Sequence, residues 1–238
     1  MKATTCIVIS ALIFAFLAAF YGVACWFDLG LWAIAVWAAM IVAIPLASLL
    51  HELGHMLFGA ICGIKTKPHF SLFGSSSCAL MPKKEDKIKE RATFTAYGGI
   101  AVNFLILIVC VVLMNLDIVP VWLSFLIPAN AYICILNLMP VHLPSGKTDG
   151  LVLIEINNDR DEGIVLIAVL TVQAQVLNGK PIEEVDEKLL FDLPQIREDD
   201  QSFIALTELR YEYMKAKGNI EQAIKYRQRF EQLKKDYM

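Results

Sequence analysis

The chain has 238 residues, of which 57% are hydrophobic and only 19% are charged. Soluble domains average roughly 45–50% apolar and about 25% charged residues, so this composition argues against an ordinary soluble protein and favours a membrane protein. The six cysteines include no C-x-x-C pair and lie mostly in apolar runs. We therefore expect neither a thiolate metal site nor a disulfide framework.

Four apolar segments are long enough to cross a bilayer core, which takes roughly 20 helical residues. They cover about 4–27, 29–61, 97–116 and 119–141. The apolar run of the first segment is longer than the apolar region of a signal peptide, which has roughly 7–15 residues. We therefore expect a retained membrane anchor. The sequence predicts an all-α, polytopic membrane protein, with these four transmembrane helices in a domain covering residues 1–150.

Positive charge predicts the orientation of these helices. The loop from Gly63 to Thr95 carries seven Lys and Arg residues, whereas the connections near Asp28 and Asp117 carry none. Because Lys- and Arg-rich loops stay in the cytoplasm, this loop and both chain termini are expected there. A bacterial cytoplasmic membrane is the expected location. The second and fourth segments then end at the same membrane face.

The stretch SLLHELGHMLFG, residues 48–59, places two histidines and a glutamate near the cytoplasmic end of the second segment. Positions i and i+4 share a helix face, so His51 and His55 can direct both imidazoles at one metal ion. Glu52 has the place that the H-E-x-x-H pattern gives to a base, which takes a proton from zinc-bound water. Burying these groups without a cation or partners would cost several kcal/mol. This cost favours a zinc site over the alternative, in which the histidines are ordinary core residues with hydrogen-bond partners.

A catalytic zinc generally has three protein ligands, so the third must come from elsewhere in the chain. Asp149 in NLMPVHLPSGKTDG, residues 137–150, is the best candidate, because it follows the fourth segment at the same membrane face. His69 and His142 are further candidate donors. The Asp149-Gly150 pair is also typical of a plain turn.

An intramembrane HELGH, followed after two further spans by an N-x-x-P…D-G segment, resembles the M50 family, the site-2 proteases. The resemblance covers about residues 30–155 and implies an intramembrane zinc metalloprotease with a core of three transmembrane helices. Carried over to this sequence, His51, His55 and Asp149 would bind zinc, and Glu52 would be the catalytic base.

Two asparagines also match elements of that family. Its intervening helix often has a G-x-x-x-N element, which YGGIAVNF supplies as Gly99 and Asn103. The resemblance implies that Asn103 and Asn137 position the substrate or stabilise the oxyanion. Packing through small residues, with an interhelical hydrogen bond, is an equally good interpretation of Gly99 and Asn103.

The segment before Asp149 departs from the family pattern, which is closer to N-x-x-P-x-P-x-L-D-G. Here four additional residues separate Asn137 from Asp149, and Thr148 replaces the leucine. The additional residues either form a loop that leaves Asp149 in place or allow His142 to compete as the ligand. We favour Asp149.

The stretch HFSLFGSSSCALMP, residues 69–82, is apolar, rich in Gly and Ser, and too short to span a bilayer. It is expected to form either a re-entrant loop or short hairpin that pairs with an extended substrate strand, or an ordinary cytoplasmic loop.

From Leu151 onward the chain becomes charged and its periodicity helical, with twelve Lys and Arg and seventeen Asp and Glu. Helix breaks are expected at Asn178-Gly179 and at Gly218, and Pro181 should begin a helix. The region 151–238 is therefore predicted to be soluble, helical and cytoplasmic, either tetratricopeptide-like or a plain four-helix tail. It would provide a cytoplasmic platform for a protein partner or for substrate capture. No basic patch with interleaved aromatic residues indicates nucleic acid.

These patterns favour an intramembrane zinc endopeptidase that holds one Zn²⁺ and uses Glu52 as general base toward a zinc-activated water. It would hydrolyse a peptide bond in or near the transmembrane segment of a membrane-anchored protein, within the lipid bilayer. The alternative is a catalytically inactive, metal-binding membrane adaptor whose helical tail binds a partner. The intact Glu52 favours the protease, because a structural zinc has no use for a base.

Overall fold

The computed structural model describes residues 3–30, 32–69, 77–118, 125–143 and 146–237. This part of the chain is mostly helical, as expected. The helices of the N-terminal half are α1 (Ala3–Leu29), α2 (Trp32–Cys62), α3 (Ile88–Asn115) and α4 (Leu126–Leu138). Those that follow are α5 (Asp149–Asn157), α6 (Asp161–Leu177), α7 (Lys188–Phe191), α8 (Gln201–Ala216) and α9 (Ile220–Tyr237).

Two helical stretches of the described residues are long and apolar enough to cross a membrane, namely Val42–Cys62 of α2 and the whole of α3. The helix α1 occupies the first predicted segment and has 27 residues. The helix α4 has 13 residues, fewer than the roughly 20 that a bilayer requires. Residues 119–124 of the predicted fourth segment lie outside the described residues. The arrangement with four spans therefore stays a prediction.

The helix α3 begins before the apolar segment that predicted it. Its first turns include Arg91 and Glu90, which are unsuited to a membrane span. Ile88 and Ala92 are one helical turn apart, and both are buried in a cluster with Ile156. Packing of this apolar face therefore extends the helix beyond the stretch that hydropathy alone marks.

The chain forms two compact units. The first comprises residues 1–58, 66–79 and 94–151, and the second comprises residues 59–65, 80–93 and 152–238. The division expected after Gly150 lies next to the end of the first unit. In the first unit, Ala43 and Ala47 of α2 pack with Ala129 and Ile133 of α4.

Two apolar clusters form the core of the second unit. One contains Val165, Val172, Leu190 and Leu206, and the other contains Ile64, Ile88, Ala92, Ile156, Leu170 and Ala174. The helices α8 and α9 pack along each other. The side chain of Asp200 accepts a hydrogen bond from the Ser202 N–H (2.9 Å) and thereby caps the start of α8.

Four short strands form two sheets in the described residues. The strands β1 (Ile64–His69) and β2 (Ser77–Pro82) pair with each other, and β3 (His142–Leu143) pairs with β4 (Gly146–Lys147). The predicted stretch 69–82 thus contributes β2 and the last residue of β1, while residues 70–76 lie outside the described residues.

Both predicted helix breaks of the C-terminal region are confirmed. Gly179 and Gly218 have φ angles of +91° and +73°, which glycine adopts at little steric cost. Pro181, however, begins only a 3₁₀ turn at Ile182–Glu184, and the following helix α7 has four residues. Only the stretch after Asp200 forms a pair of long helices. The two halves of the C-terminal region therefore do not repeat the same helical hairpin.

Candidate metal centre

His51 and His55 of α2 direct their imidazoles at one point, as their spacing predicts. Their Nε2 atoms are 3.2 Å apart, and the ring planes are nearly perpendicular. Both residues are buried, with exposed fractions of 4% and 6%. One helical turn separates the two positions, which is why a single helix can present both rings to the same site.

Asp149 completes this group from another helix. It lies in the first turn of α5, and its Oδ2 is 2.8 Å from His51 Nε2 and 3.3 Å from His55 Nε2. The three side chains together could hold a metal ion. His142 lies on β3 opposite Lys147 and is not part of the group, and the side chain of His69 lies outside the described residues.

The additional residues before Asp149 form a β-hairpin. His142 pairs with Lys147, and Leu143 pairs with Gly146. Thr148 closes the hairpin, because its N–H donates to the Val141 carbonyl and its hydroxyl oxygen accepts from the Val141 N–H, both at 3.2 Å. Residues 144 and 145 lie outside the described residues. The insertion therefore leaves Asp149 at the site, which is one of the two arrangements that the sequence allowed.

Each histidine is oriented by a hydrogen bond at its other ring nitrogen. His51 Nδ1 lies 2.7 Å from Asn103 Oδ1, and His55 Nδ1 lies 2.8 Å from the carbonyl oxygen of Thr95. The Thr95 carbonyl can only accept, so His55 Nδ1 carries the hydrogen, and in the neutral ring the lone pair of Nε2 is directed at the site. Such outer partners fix ring orientation in metal centres.

Glycines allow α3 to approach the two imidazoles. A Cβ atom added to Gly99 would lie 2.5 Å from Cε1 of His51 and 2.6 Å from Nε2 of His55. A Cβ added to Gly98 would lie 2.6 Å from the carbonyl oxygen of Gly54. Real Cβ atoms do not occur at such distances, so these positions must be glycine for the helices to be this close.

Glu52 is buried next to His51, His55 and Asp149, with an exposed fraction of 5%. It is near enough to interact with the charges of His51, His55 and Asp149. Its Oε2 atom is buried and has no hydrogen-bond partner among the described residues. A buried carboxylate oxygen without a partner is costly, which is typical of a group that has a chemical role.

Asp149 is kept ionised by its neighbours. Burial raises the pKa of its carboxyl group, but His51 and His55 outweigh this effect when their Nε2 atoms are protonated, through hydrogen bonds to the carboxylate and through their positive charges. They lower the pKa of Asp149 to about 2. The site therefore contains an anionic oxygen next to two imidazoles, and a fourth position around an ion would stay open for water or a substrate oxygen.

The two asparagines that the family resemblance singled out have different surroundings. Asn103 is fully buried and bonded to His51. The side chain of Asn137 donates to the carbonyl of Ile133 in its own helix (3.1 Å). Their roles in substrate positioning and oxyanion stabilisation stay predictions.

Asn130 is a site residue that sequence reasoning missed. It is fully buried in α4, and its Oδ1 accepts a hydrogen bond from Asn103 Nδ2 (2.8 Å). The signal available in the sequence was a single amide in the apolar stretch LIPANAYICIL, since polar residues in such segments are often functional.

Comparisons of this chain with protein-family models, with curated proteins and with solved structures find no match.

Proposed function

We propose that this protein is an intramembrane zinc endopeptidase of the site-2 protease type. It cuts a peptide bond in or near the transmembrane segment of a membrane-anchored protein. The observation that carries this proposal is the convergence of His51 Nε2, His55 Nε2 and Asp149 Oδ2, next to the buried Glu52. Two histidines, a third ligand from another segment and an adjacent glutamate are the groups that metal-assisted hydrolysis requires.

The spacing of the three ligand atoms supports zinc. Ligands about 2.0–2.1 Å from a tetrahedral Zn²⁺ lie roughly 3.3 Å from each other. The corresponding distances here are 2.8, 3.2 and 3.3 Å. Imidazole nitrogen and carboxylate oxygen are both common zinc ligands.

The protonation of the histidines also supports a cation. His55 donates its Nδ1 hydrogen to Thr95, so in the neutral ring its Nε2 has only a lone pair. That lone pair faces the ionised carboxylate of Asp149 at 3.3 Å, which is repulsive unless a positive charge lies between them. A further proton on a ring or a metal ion can supply that charge. The H-E-x-x-H pattern favours the metal ion.

A membrane location is supported by the apolar surface of the two long helices. Only 33% of the most apolar stretch of α2 and 22% of that of α3 is buried, whereas the core helix of a soluble protein is mostly covered. The exposed apolar side chains include Leu53, Leu57, Ile61, Phe104, Leu105 and Val112. Such a surface is stable in lipid and costly in water.

The proposed chemistry assigns one task to each residue. Zinc, when bound, supplies a Lewis acid that polarises the scissile carbonyl and makes water more acidic. Glu52 accepts a proton from the attacking water at its unpaired Oε2 and later donates it to the departing amine. His51 and His55 keep their Nδ1 atoms bonded to Asn103 and Thr95, and so hold their Nε2 atoms at the site.

The test of this proposal compares Glu52→Gln with wild type. The full-length protein is co-expressed with a panel of single-span membrane proteins that carry a different tag on each side of the membrane. Wild type should cut at least one of them, and Glu52→Gln should reduce the cleavage rate by roughly 10²–10⁴-fold. Zinc content of the purified variant should stay at one ion per chain, because glutamine leaves the three ligands intact. Glu90→Gln, a change of an exposed side chain in the first turn of α3, is the matched control and should cut like wild type.

Two outcomes would contradict the proposal. Wild-type protein that has no zinc and takes up none excludes the metal centre. Protein that binds zinc but cuts every panel member equally well with Glu52→Gln excludes Glu52 as the base. Wild-type protein that binds zinc but cuts no member of the panel favours the inactive adaptor instead.

A further inference from the structure

Two buried asparagines from different helices form a hydrogen-bonded chain behind His51. Asn103 of α3 and Asn130 of α4 both have an exposed fraction of 0%. His51 Nδ1 is bonded to Asn103 Oδ1, and Asn103 Nδ2 is bonded to Asn130 Oδ1. The chain thus connects a metal-binding side chain of α2 to a helix that contributes no ligand.

Backbone carbonyls determine the direction of every hydrogen bond in this chain. Asn130 Nδ2 donates to the carbonyl of Leu126 (2.8 Å), so its Oδ1 must face Asn103. Asn103 Nδ2 then uses its two hydrogens on Asn130 Oδ1 and on the carbonyl of Ala47 (3.0 Å). Since a carbonyl oxygen can only accept, neither amide can be turned around without placing two acceptors or two donors against each other.

The direction of these hydrogen bonds determines which ring nitrogen of His51 carries the hydrogen. Asn103 can present only its Oδ1 to the ring, and an oxygen requires the hydrogen to be on His51 Nδ1. The hydrogen on Nδ1 leaves the lone pair on Nε2, 2.8 Å from Asp149 Oδ2, where the metal ligand is needed.

We propose that Asn130 is a positioning residue of the metal centre, which acts through Asn103 to hold His51 in the tautomer that binds the ion. The inference rests on the proposed zinc site and assigns to it a residue that touches neither the ion nor the substrate. Loss of an outer partner of a metal ligand typically weakens metal binding roughly 10–100-fold.

The competing role for the pair is interhelical adhesion, in which the amides only hold α3 and α4 together. The two roles differ in their coupling to the metal. Adhesion predicts a loss of stability that is the same with and without zinc, and a zinc affinity that stays unchanged. Positioning predicts that Asn130 affects zinc binding only as long as Asn103 is there to transmit its effect.

A double-mutant cycle separates these roles. Full-length wild type, Asn103→Leu, Asn130→Leu and the double variant are purified in detergent. Zinc affinity is measured by competition with a chromophoric chelator, and ligand geometry is read from the visible spectrum of the Co²⁺ form. Leucine is similar in size to asparagine and has no polar atom, so it fills the space and removes the hydrogen bonds.

The expected zinc affinities are weaker than wild type by roughly 10–100-fold for Asn103→Leu and by about threefold to tenfold for Asn130→Leu. The double variant should be no weaker than Asn103→Leu alone, and the Co²⁺ spectrum should change in all three. Asn115→Leu is the matched control, because the Asn115 side chain donates to the carbonyl one turn earlier in α3 and is exposed. It should bind zinc like wild type.

A conservative variant keeps the test decisive if a leucine variant misfolds. Asn130→Asp retains the shape, and in this buried position the carboxylic acid stays protonated. Its hydroxyl donates to the Leu126 carbonyl and its other oxygen accepts from Asn103, so zinc affinity should stay within about threefold of wild type. Wild-type affinity in Asn130→Leu, multiplied losses in the double variant, or an Asn130→Asp loss larger than tenfold would each overturn the inference. Wild-type protein that binds no zinc would instead overturn the proposed metal centre itself.

Discussion

Asp149 Oδ2 lies 2.8 Å from His51 Nε2, although the helices α3 and α4 both lie between these residues in the chain. The short β-hairpin before Asp149 makes this distance possible. It contains the residues that exceed the family pattern, and α5 begins directly after it.

The first prediction concerns the third ligand. Asp149→Asn removes the anionic oxygen and should weaken zinc binding at least 100-fold, and cleavage should be lost with the zinc. His142→Gln is the comparison, because His142 is the other donor that the sequence offered and it pairs with Lys147 in the hairpin. Zinc content after purification should be unchanged in His142→Gln. The reverse result would identify His142 as the ligand.

The second prediction concerns the approach of α3 to the imidazoles. Gly99→Ala would place a methyl group 2.5 Å from His51 Cε1, so the rings must move and zinc affinity should fall by at least tenfold. Gly98→Ala meets the Gly54 carbonyl and the Phe58 side chain instead. It should lower the thermal unfolding temperature without touching a ligand directly. Wild-type zinc affinity in Gly99→Ala would show that this close approach is not required.

The third prediction concerns Thr148, which stands where the family pattern has leucine. Its buried hydroxyl lies 2.5 Å from the carbonyl of Met139 and accepts from the Val141 N–H. Thr148→Val is similar in shape but removes both hydrogen bonds of the hydroxyl, at a cost of about 0.5–1.5 kcal/mol for each, while the Val141 N–H keeps its bond to the Met139 carbonyl (2.9 Å). Zinc affinity should fall, because these hydrogen bonds hold the backbone that positions the neighbouring Asp149. Thr148→Ser keeps the hydroxyl and should retain most of the affinity, and equal losses in both variants would contradict this role.

The fourth prediction concerns the orientation in the membrane. Lys87 and Asp117 are exposed, and they lie near opposite ends of α3. A cysteine at position 87 should react with a membrane-impermeant reagent only from the cytoplasmic side, and a cysteine at position 117 only from the other side. Each of these cysteines is introduced into a variant of the protein whose native cysteines have been replaced. Labelling of both positions from one side would exclude α3 as a span.

The fifth prediction concerns the core of the C-terminal region. Leu206 is buried in the cluster that includes Val165 and Leu190, so Leu206→Ala should destabilise this region by roughly 2–5 kcal/mol. Ile224 of α9 is 51% exposed, and Ile224→Ala should have an effect of at most about 0.5 kcal/mol. Hydrogen–deuterium exchange of the α8 amides in the full-length protein measures the change of stability in both variants. Equal protection in the two variants would contradict the assigned core.

Part of this organisation could be predicted from the sequence because it depends on local spacing. The His51 and His55 pair needs only the helical period, and the breaks at Gly179 and Gly218 need only the conformational freedom of glycine. The prediction for the stretch after Pro181 was wrong. A proline at a possible helix start does not show how far a helix continues, and only four residues of α7 follow.

Other features depend on contacts between segments that are distant in sequence. Hydropathy did not predict the early start of α3, because the burial of Ile88 and Ala92 depends on Ile156. The role of Asn130 was missed for the same reason, since its bond to Asn103 joins two helices. A polar residue in an apolar stretch indicates that a partner exists but not which one it is.

The sequence by itself determined the helical character of the chain, the apolar segments, and the pairing of His51 with His55 around Glu52. These follow from a periodicity of a few residues and from the cost of exposing apolar side chains to water. Only the tertiary structure decided that Asp149, rather than His142, joins the two histidines and that Asn103 and Asn130 stand behind His51. The packing of α2, α3, α4 and the start of α5 sets these distances, and no local pattern specifies them.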